Sequence, residues 1–196
     1  DRSVSRGLGD VYKRQVWEQM KNHQPKTYLL HGVTGSGKTE VYMELIARTV
    51  AQGKQAIVLI PEIALTYQTV MRFYNRFGER VSILNSRLSL GERFDQYQRA
   101  KNGEIDVMIG PRSALFTPFS NIGLIVIDEE HEGAYKSETV PRYHAREVAC
   151  HIAREAGASV ILGSATPSME SYYAAMNGHI AVSYTHLRAH ETLSDL

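Results

Sequence analysis

The feature that most constrains the fold is a glycine-rich segment that follows a short apolar run and precedes a longer amphipathic one. Residues 32–39 read GVTGSGKT and match the pattern G-x-x-x-x-G-K-[ST]. In this pattern the glycines let the backbone turn its N–H groups around phosphates, and the following helix contributes the positive end of its dipole. The apolar residues 28–30 predict a strand before the segment. This order of strand, loop and helix indicates a nucleoside triphosphate site; the alternative is a glycine-rich turn without a ligand.

Every residue of this segment is a candidate for binding the nucleotide. Lys38 is also the candidate catalytic cation, because its side chain can reach the β- and γ-phosphates. The hydroxyl of Thr39 is a candidate ligand of Mg²⁺, so ATP and Mg²⁺ are the expected cofactors. The nucleotide-binding set is Gly32, Val33, Thr34, Gly35, Ser36, Gly37, Lys38 and Thr39.

A second motif supplies the carboxylates that a phosphate loop needs. Four apolar residues, 124–127, are followed directly by Asp128 and Glu129. An acid at the end of a neighbouring strand can hold the magnesium shell, which is the role expected of Asp128. Glu129 can orient or deprotonate the attacking water, and kinases of small metabolites seldom carry this second acid. The pair therefore favours hydrolysis over phosphoryl transfer, whereas a solvated acidic turn is the alternative for these acids taken alone.

Strands and helices alternate through the middle of the chain. Short apolar runs, most of them rich in Val and Ile, are too short for typical helices and predict buried strands. Alternation of this kind predicts the α/β class, with a mostly parallel sheet covered by helices on both faces. The predicted strands are residues 28–30, 56–60, 81–84, 105–109, 122–127 and 159–162.

Three local signals predict helices between these strands. Ser89 and Glu92 have the spacing of a capping box, in which each side chain satisfies a free backbone N–H at the helix start. Pro167 is predicted to occupy the first position of a helix, where its missing N–H costs little. One amphipathic helix is predicted from an apolar stripe formed by Ala145, Val148, Ala149, Ile152 and Ala153.

Length and composition indicate one ordinary domain. The chain has 196 residues, and its 22 Lys and Arg nearly cancel 21 Asp and Glu, so bulk charge predicts neither a nucleic-acid nor a membrane partner. Cys150 is the only cysteine of the sequence, and no apolar run has the length of a membrane span, which favours a cytoplasmic protein. We assign residues 16–180 to the domain. Residues 1–15 and 181–196 resemble translated adapter sequence, and native disordered tails are the alternative.

The acidic motif also resembles that of a known family. Residues 128–131, Asp-Glu-Glu-His, resemble the DEEH-type box of superfamily 2 helicases, and residues 164–166 resemble their Ser-Ala-Thr motif. Further stretches are similar to the primosomal replication-restart DNA helicases of bacteria within that superfamily. These stretches are PEIALT at 61–66, GPRSALF at 110–116, PRYHAR at 141–146 and GSATPSMES at 163–171.

The resemblance implies a RecA-like P-loop NTPase lobe of an ATP-dependent DNA helicase that unwinds in the 3′-to-5′ direction. Its implied partners are branched, forked and single-stranded DNA, together with primosome and replication-restart proteins. Motors of this superfamily have a second lobe that supplies an arginine to the ATP site, and this family also has a cysteine-rich zinc module. Neither is encoded here, so the chain is expected to be the first motor lobe. The residues expected to couple nucleotide state to DNA are Glu130, His131, Ser164, Ala165 and Thr166.

A loop after the acidic motif mixes aromatic and cationic residues, which can stack on bases and contact phosphates. The alternative is aromatic packing beneath a long loop. This chain departs from the family pattern at Tyr67, where Pro is frequent in the family, and at Asn85, where His is expected. Both departures concern DNA contacts more than ATP chemistry. The DNA-contact candidates are Arg112, Ser113, Tyr135, Lys136 and Arg142.

Two other functions remain open at this point. One is a different superfamily 2 translocase ATPase, such as a restriction-enzyme subunit. The stretch 141–146, which is similar to the replication-restart helicases, argues against it. The other is a DNA-structure-recognising scaffold for primosome assembly that uses ATP only as a switch. A scaffold needs no DNA-stimulated hydrolysis, so ATP turnover separates it from a helicase.

Overall fold

The computed structural model describes residues 14, 17, 18, 26–33 and 35–184. Within them, seven strands form one sheet in which all paired neighbours run parallel. The strands are β1 Thr27–His31, β2 Gln55–Leu59, β3 Val81–Ile83, β4 Val107–Gly110, β5 Ile122–Ile127, β6 Ser159–Ser164 and β7 Ala181–Tyr184. Their order across the sheet is β3-β4-β2-β5-β6-β1-β7. The helices are α1 Lys38–Ala51, α2 Tyr67–Phe77, α3 Leu90–Lys101, α4 Ala145–Ala156 and α5 Met169–Met176.

Both faces of the sheet are buried beneath helices. On β2, Ile57 packs in the cluster that contains alanines of α3 and α4, whereas Val58 packs in the cluster that contains Leu45 of α1 and Phe73 of α2. This alternation follows from the period of two in a strand, which sends successive side chains to opposite faces. Ile57 and Val58 are both 0% exposed, which explains why such strands read as continuous apolar runs. The predicted α/β architecture, with helices on both faces, is confirmed.

All six strands predicted from apolar runs are present, with shifted ends. The largest differences are in β4, which begins at Val107 rather than residue 105, and in β6, which continues to Ser164. The strand β7 was not predicted: it pairs with β1 at the sheet edge, from residue 181, where the sequence analysis placed the terminal segment. The remainder of that segment, 185–196, lies outside the described residues, as do residues 1–13.

The helix starts test the predicted caps. The capping box at Ser89 is confirmed: its hydroxyl accepts the N–H of Glu92, and the Glu92 carboxylate accepts the N–H of Ser89. The prediction for Pro167 is wrong, because Ser168 caps α5 by accepting the N–H of Ser171 and the helix begins at Met169. A serine side chain can satisfy a free N–H at the helix start, which a proline at that place cannot do.

The topology brings the sequence motifs to one edge. In a parallel sheet the carboxyl ends of the strands lie together, and ligands of open α/β sheets bind beyond those ends. The phosphate loop follows β1, the acidic motif follows β5 and the Ser-Ala-Thr motif begins at the end of β6. Because β6 lies between β1 and β5, the three motifs are neighbours across the sheet.

Candidate active site

The phosphate loop has the backbone conformation that its glycines allow. Gly35 and Gly37 have φ angles of 79° and 88°, in the left-handed region that favours glycine, and Gly37 is the residue before α1. The loop is attached to the end of β6, because the N–H of Gly32 donates to the carbonyl oxygen of Ser164 at 3.1 Å. Thr34, one of the predicted nucleotide-binding residues, lies outside the described residues.

The amine of Lys38 lies inside this loop. Lys38 is the first residue of α1 and is buried, with 7% of its surface exposed. Its Nζ donates to the carbonyl oxygen of Gly32 at 2.7 Å and to that of Val33 at 3.3 Å. Thr39 follows on the first turn of α1, half-buried beside it. The loop thus holds a cation where the pattern predicts phosphate binding.

Asp128 lies directly after β5 and is held on three sides. Its N–H donates to the carbonyl oxygen of Leu59 at 2.9 Å, and its own carbonyl oxygen accepts from the Tyr135 hydroxyl at 2.6 Å. The Tyr42 hydroxyl donates to Oδ1 of Asp128 at 3.0 Å. Burial raises the pKa of Asp128, while the hydrogen bond from Tyr42 acts in the opposite direction. A nearby cation would stabilise the charged form of this half-buried carboxylate, so Asp128 fits the expected role of a magnesium ligand.

Glu129 combines an unusual backbone with an accessible carboxylate. Its φ angle is 48°, in the left-handed region that costs a non-glycine residue on the order of 1–3 kcal/mol. Its Oε1 lies 3.9 Å from Nζ of Lys38, and its Oε2 lies 3.7 Å from Nδ1 of His131. The side chain is 26% exposed, so a water molecule can reach it. The two predicted catalytic residues therefore face each other across the loop.

The predicted coupling residues also lie together. Nδ1 of His131 and Oγ of Ser164 are 2.7 Å apart and hydrogen-bonded, and the same hydroxyl accepts the N–H of Thr166 at 3.0 Å. Nε2 of His31, the last residue of β1, donates to the carbonyl oxygen of Ala165 at 3.1 Å. The Ser-Ala-Thr motif is thus bonded both to the acidic motif and to the strand that leads into the phosphate loop.

Glu130, the remaining coupling candidate, is buried among polar groups. Its side chain is 0% exposed, and its carboxylate accepts from the N–H of Ser168 at 2.7 Å and from the Ser171 hydroxyl at 2.9 Å. Nη1 of Arg146 lies 3.3 Å from Oε2 of Glu130. Sequence reasoning placed Glu130 in the acidic motif but did not predict its partners.

The DNA-contact candidates divide into exposed and buried residues. Lys136 and Arg142 are exposed, and Ser113 is half-buried. Nη1 of Arg112 donates to the carbonyl oxygen of Lys136 at 2.6 Å, so part of this guanidinium holds the loop in place. Tyr135 is 1% exposed, which corrects its assignment as a DNA contact.

Tyr135 instead supports the acidic motif from below. Besides the bond to Asp128, its hydroxyl lies 3.1 Å from the carbonyl oxygen of Leu59, and burial raises its pKa far above the ordinary value. The alternative stated above, aromatic packing beneath a long loop, therefore describes Tyr135. The hydroxyl links the ends of β2 and β5, which positions Asp128.

Tyr42 and Gly163 are site residues that the motif patterns missed. Tyr42 lies one turn after Lys38 on α1, so helical spacing alone could have placed it on the same face. A Cβ added to Gly163 would overlap the Tyr42 hydroxyl and lie 2.7 Å from the ring carbon that carries it. The tyrosine reaches Asp128 only because position 163 has no side chain.

A groove of about 470 Å³ lies beside the ends of β2 and β3. Both departures from the family pattern, Tyr67 and Asn85, line it. Tyr67 is 77% exposed. Next to Asn85, the N–H of Ser86 donates to the Glu62 carboxylate at 2.7 Å. The complete lining is Glu62, Leu65, Thr66, Tyr67, Val70, Ile83, Asn85, Ser86 and Arg87.

The sequence model of the DEAD/DEAH box helicases matches residues 11–174. The chain belongs to the DEAD/DEAH box helicase family. It is 51% identical over 163 residues to the replication restart protein PriA of Bacillus subtilis (strain 168), covering 83% of this chain and 20% of that protein. It is 48% identical over 176 residues to the PriA protein of Chlamydia pneumoniae, covering 89% of this chain and 24% of that protein. The resemblance to bacterial replication-restart helicases is confirmed, and the chain spans about a fifth to a quarter of the length of these relatives.

Two solved structures share the fold. RecG bound to a three-way DNA junction superposes with a TM-score of 0.64 at 24% identity, over 89% of this chain and 23% of that one. The helicase domain of Hef from Pyrococcus furiosus gives a TM-score of 0.59 at 20% identity, over 88% of this chain and 37% of that one. These structures confirm the predicted RecA-like fold. The family match and the PriA relatives identify the chain as part of a superfamily 2 helicase motor. Among the helices that the structure describes, none is long and apolar enough to cross a bilayer.

Proposed function

We propose that this chain is the ATP-binding lobe of a DNA helicase that hydrolyses ATP to unwind DNA in replication restart. The observation that carries the proposal is the 3.9 Å approach of Lys38 Nζ to Glu129 Oε1 beside the half-buried Asp128. A phosphate-binding cation, a magnesium-binding acid and a base for water are the parts that NTP hydrolysis needs. All three project from the carboxyl edge of one sheet.

The residues have distinct roles in this proposal. The backbone N–H groups of residues 35–39 cradle the phosphates, and Lys38 exchanges its bonds to the loop carbonyls for the β- and γ-phosphates. Thr39 and Asp128 offer the hard oxygen ligands that Mg²⁺ prefers, so both fit this ion. When bound, Mg²⁺ neutralises charge on the phosphates. Glu129 orients the attacking water and accepts its proton.

The wider activity rests on the longer relatives. We propose that a second lobe closes the ATP site with an arginine, a contribution worth about 10³–10⁵ in rate in related phosphoryl transfer. The implied substrate is branched or forked DNA, unwound from 3′ to 5′, with primosome and replication-restart proteins as partners in the cytoplasm. RecG bound to a DNA junction has the same fold and the PriA relatives are named for replication restart, and both support this assignment.

Replacement of Lys38 by alanine tests the nucleotide site in this chain. Lys38→Ala removes the charge that faces the β- and γ-phosphates, so affinity for a fluorescent ATP analogue with Mg²⁺ should fall by at least about tenfold. Lys101→Ala, an exposed lysine at the end of α3, is the matched control and should bind as the wild type does. Unchanged affinity in Lys38→Ala would refute the site, and ATP turnover without stimulation by forked DNA in the full-length protein would favour the scaffold.

A further inference from the structure

The Glu130 cluster joins three segments of the chain through side chains that the proposed reaction does not otherwise use. It consists of Glu130 in the acidic motif, Arg146 near the start of α4, and Ser168 and Ser171 at the start of α5. Arg146 Nη1 donates to Ser168 Oγ at 2.8 Å and to Ser171 Oγ at 3.0 Å. Each serine hydroxyl in turn donates to Oε2 of Glu130, at 3.1 and 2.9 Å.

The charges of this cluster are withdrawn from solvent. The side chains of Glu130 and Arg146 are 0% and 17% exposed. A buried carboxylate is stable only when its oxygens are hydrogen-bonded and its charge is balanced. Both oxygens of Glu130 are bonded, and the Arg146 guanidinium balances the charge. The carboxylate therefore has a fixed position in the described structure.

This fixed position determines the path of the backbone at the catalytic acid. Glu129 lies between Asp128, whose N–H is bonded to β2, and Glu130, whose N–H donates to the carbonyl oxygen of Gly163 at 3.0 Å. A left-handed conformation at a non-glycine residue persists only where its surroundings over-determine it. The Glu130 side chain and its cluster supply that constraint on the downstream side of Glu129.

We propose that Arg146, Ser168 and Ser171 are positioning residues for ATP hydrolysis, which hold the Glu129 carboxylate toward Lys38 by fixing Glu130. Among the described residues, no hydrogen bond or ion pair joins any of the three to Lys38 or Glu129, so their effect is indirect. The inference rests on the proposed function only for the identity of the reaction. The geometric claim, that the cluster orders residues 128–131, stands apart from it.

The first experiment measures hydrolysis in the full-length protein. Arg146→Gln keeps hydrogen-bond donors but removes the charge, and Ser171→Ala removes one hydroxyl. Both should leave ATP affinity within about twofold of wild type and lower kcat by about 10- to 100-fold, the range in which small misplacements act. Arg146→Lys, which restores the charge, should recover part of the rate. Arg154→Gln, an exposed arginine on the same helix, should behave as wild type.

Thermal unfolding separates positioning from a purely structural role. If the cluster only stabilises the fold, the variants melt earlier but keep wild-type kcat at temperatures where they are folded, and that result would overturn the proposal. Loss of ATP affinity in proportion to kcat would also overturn it. Should Arg146→Gln fail to fold, Ser171→Ala carries the same test with a smaller change.

A second measurement keeps this inference distinct from the proposed function. Amide hydrogen exchange in the 196-residue chain reports the order of residues 128–131 without any enzymatic turnover. Arg146→Gln and Ser171→Ala should accelerate exchange at Glu130 and Ser168, whose N–H groups are bonded in the cluster region, and leave β5 protected. If wild-type full-length protein hydrolyses no ATP, the proposed function fails. If exchange at these amides is unchanged, the positioning claim fails.

Discussion

At the scale of single residues, Glu129 is the position where conformation and chemistry meet most directly. It has a left-handed backbone, a half-buried carboxylate and a close approach to Lys38. Replacing it with glutamine in the full-length protein keeps the shape of the side chain but removes the acceptor for a proton. We expect Glu129→Gln to bind ATP normally and to lower single-turnover hydrolysis by at least about 100-fold, the typical contribution of a general base.

A neighbouring acid provides the control for this variant. Glu138→Gln changes an exposed carboxylate in the loop after the acidic motif and should hydrolyse ATP at the wild-type rate. Wild-type single-turnover hydrolysis in Glu129→Gln would show that another group accepts the proton.

Gly163 is a second single residue on which the site depends, because there is no space for a side chain beside Tyr42. An alanine there would overlap the Tyr42 hydroxyl, so either the ring moves from Asp128 or β6 shifts. We expect Gly163→Ala to lower the free energy of unfolding by about 1–3 kcal/mol, as overpacking does, and to weaken Mg²⁺-dependent nucleotide binding. Chemical denaturation and a nucleotide titration measure the two effects.

Two further substitutions serve as controls for Gly163→Ala, because they change how much space the added carbon has. Gly91→Ala, at a helical position with no atom within 4 Å of the added carbon, should be neutral or slightly stabilising. When Tyr42→Phe is combined with Gly163→Ala, it should relieve the overlap only in part, because the ring carbon of residue 42 also lies too close to the added carbon. Wild-type stability and binding in Gly163→Ala would contradict the packing described at the site.

At the scale of elements, the sequence predicted the features that depend on interactions between residues close together in the chain. The buried strands and the cap at Ser89 were predictable because apolar runs and side-chain hydrogen bonds act over a few residues. The strand β7 was not, since its pairing with β1 is a contact between distant segments. Likewise, the motifs predicted Lys38, Asp128 and Glu129 as site residues. Helical spacing places Tyr42 on the same face as Lys38, but its bond to Asp128 and the bond from Arg146 to Glu130 depend on tertiary packing that no short pattern encodes.

The contact between α1 and α2 provides a pH-dependent prediction. Glu44 on α1 accepts from Arg48 Nε at 2.9 Å and from Arg76 Nη2 of α2 at 2.7 Å. The hydrogen bond from Arg48 is the largest cause that lowers the pKa of Glu44. Because the folded pKa lies below the unfolded one, the stabilisation is present above the unfolded pKa and is lost as pH falls through the folded value.

We therefore expect Glu44→Gln to destabilise the chain at neutral pH by at most about 1 kcal/mol, the usual size for an exposed ion pair. The difference from wild type should disappear as pH falls below the ordinary carboxyl range. Thermal melts across pH measure it, with the exposed Glu155→Gln on α4 as the control. A stability difference that grows on acidification would contradict the sign derived from the lowered pKa.

At the scale of the whole molecule, the candidate site occupies one edge of a single sheet. Its cation, acids and Ser-Ala-Thr motif all belong to one lobe, and the chain spans only a fifth to a quarter of its PriA relatives. Hydrolysis in the proposed motor needs an arginine from a second lobe, so chemistry and unwinding belong to the longer protein. The proposed nucleotide recognition, in contrast, depends on the phosphate loop that this chain contains.

The isolated chain should therefore bind ATP weakly and neither hydrolyse it at useful rates nor unwind DNA. Its DNA affinity should be modest, because 22 basic residues are balanced by 21 acidic ones and Arg112 is partly committed to the loop. The contacts expected from Ser113, Lys136 and Arg142, together with Arg112, should weaken as salt rises. Steady-state ATPase assays with and without forked DNA, and DNA titrations at two salt concentrations, provide the measurement. Robust DNA-stimulated turnover by this chain alone would mean that one lobe is a complete catalyst, and the second-lobe arginine would then be unnecessary.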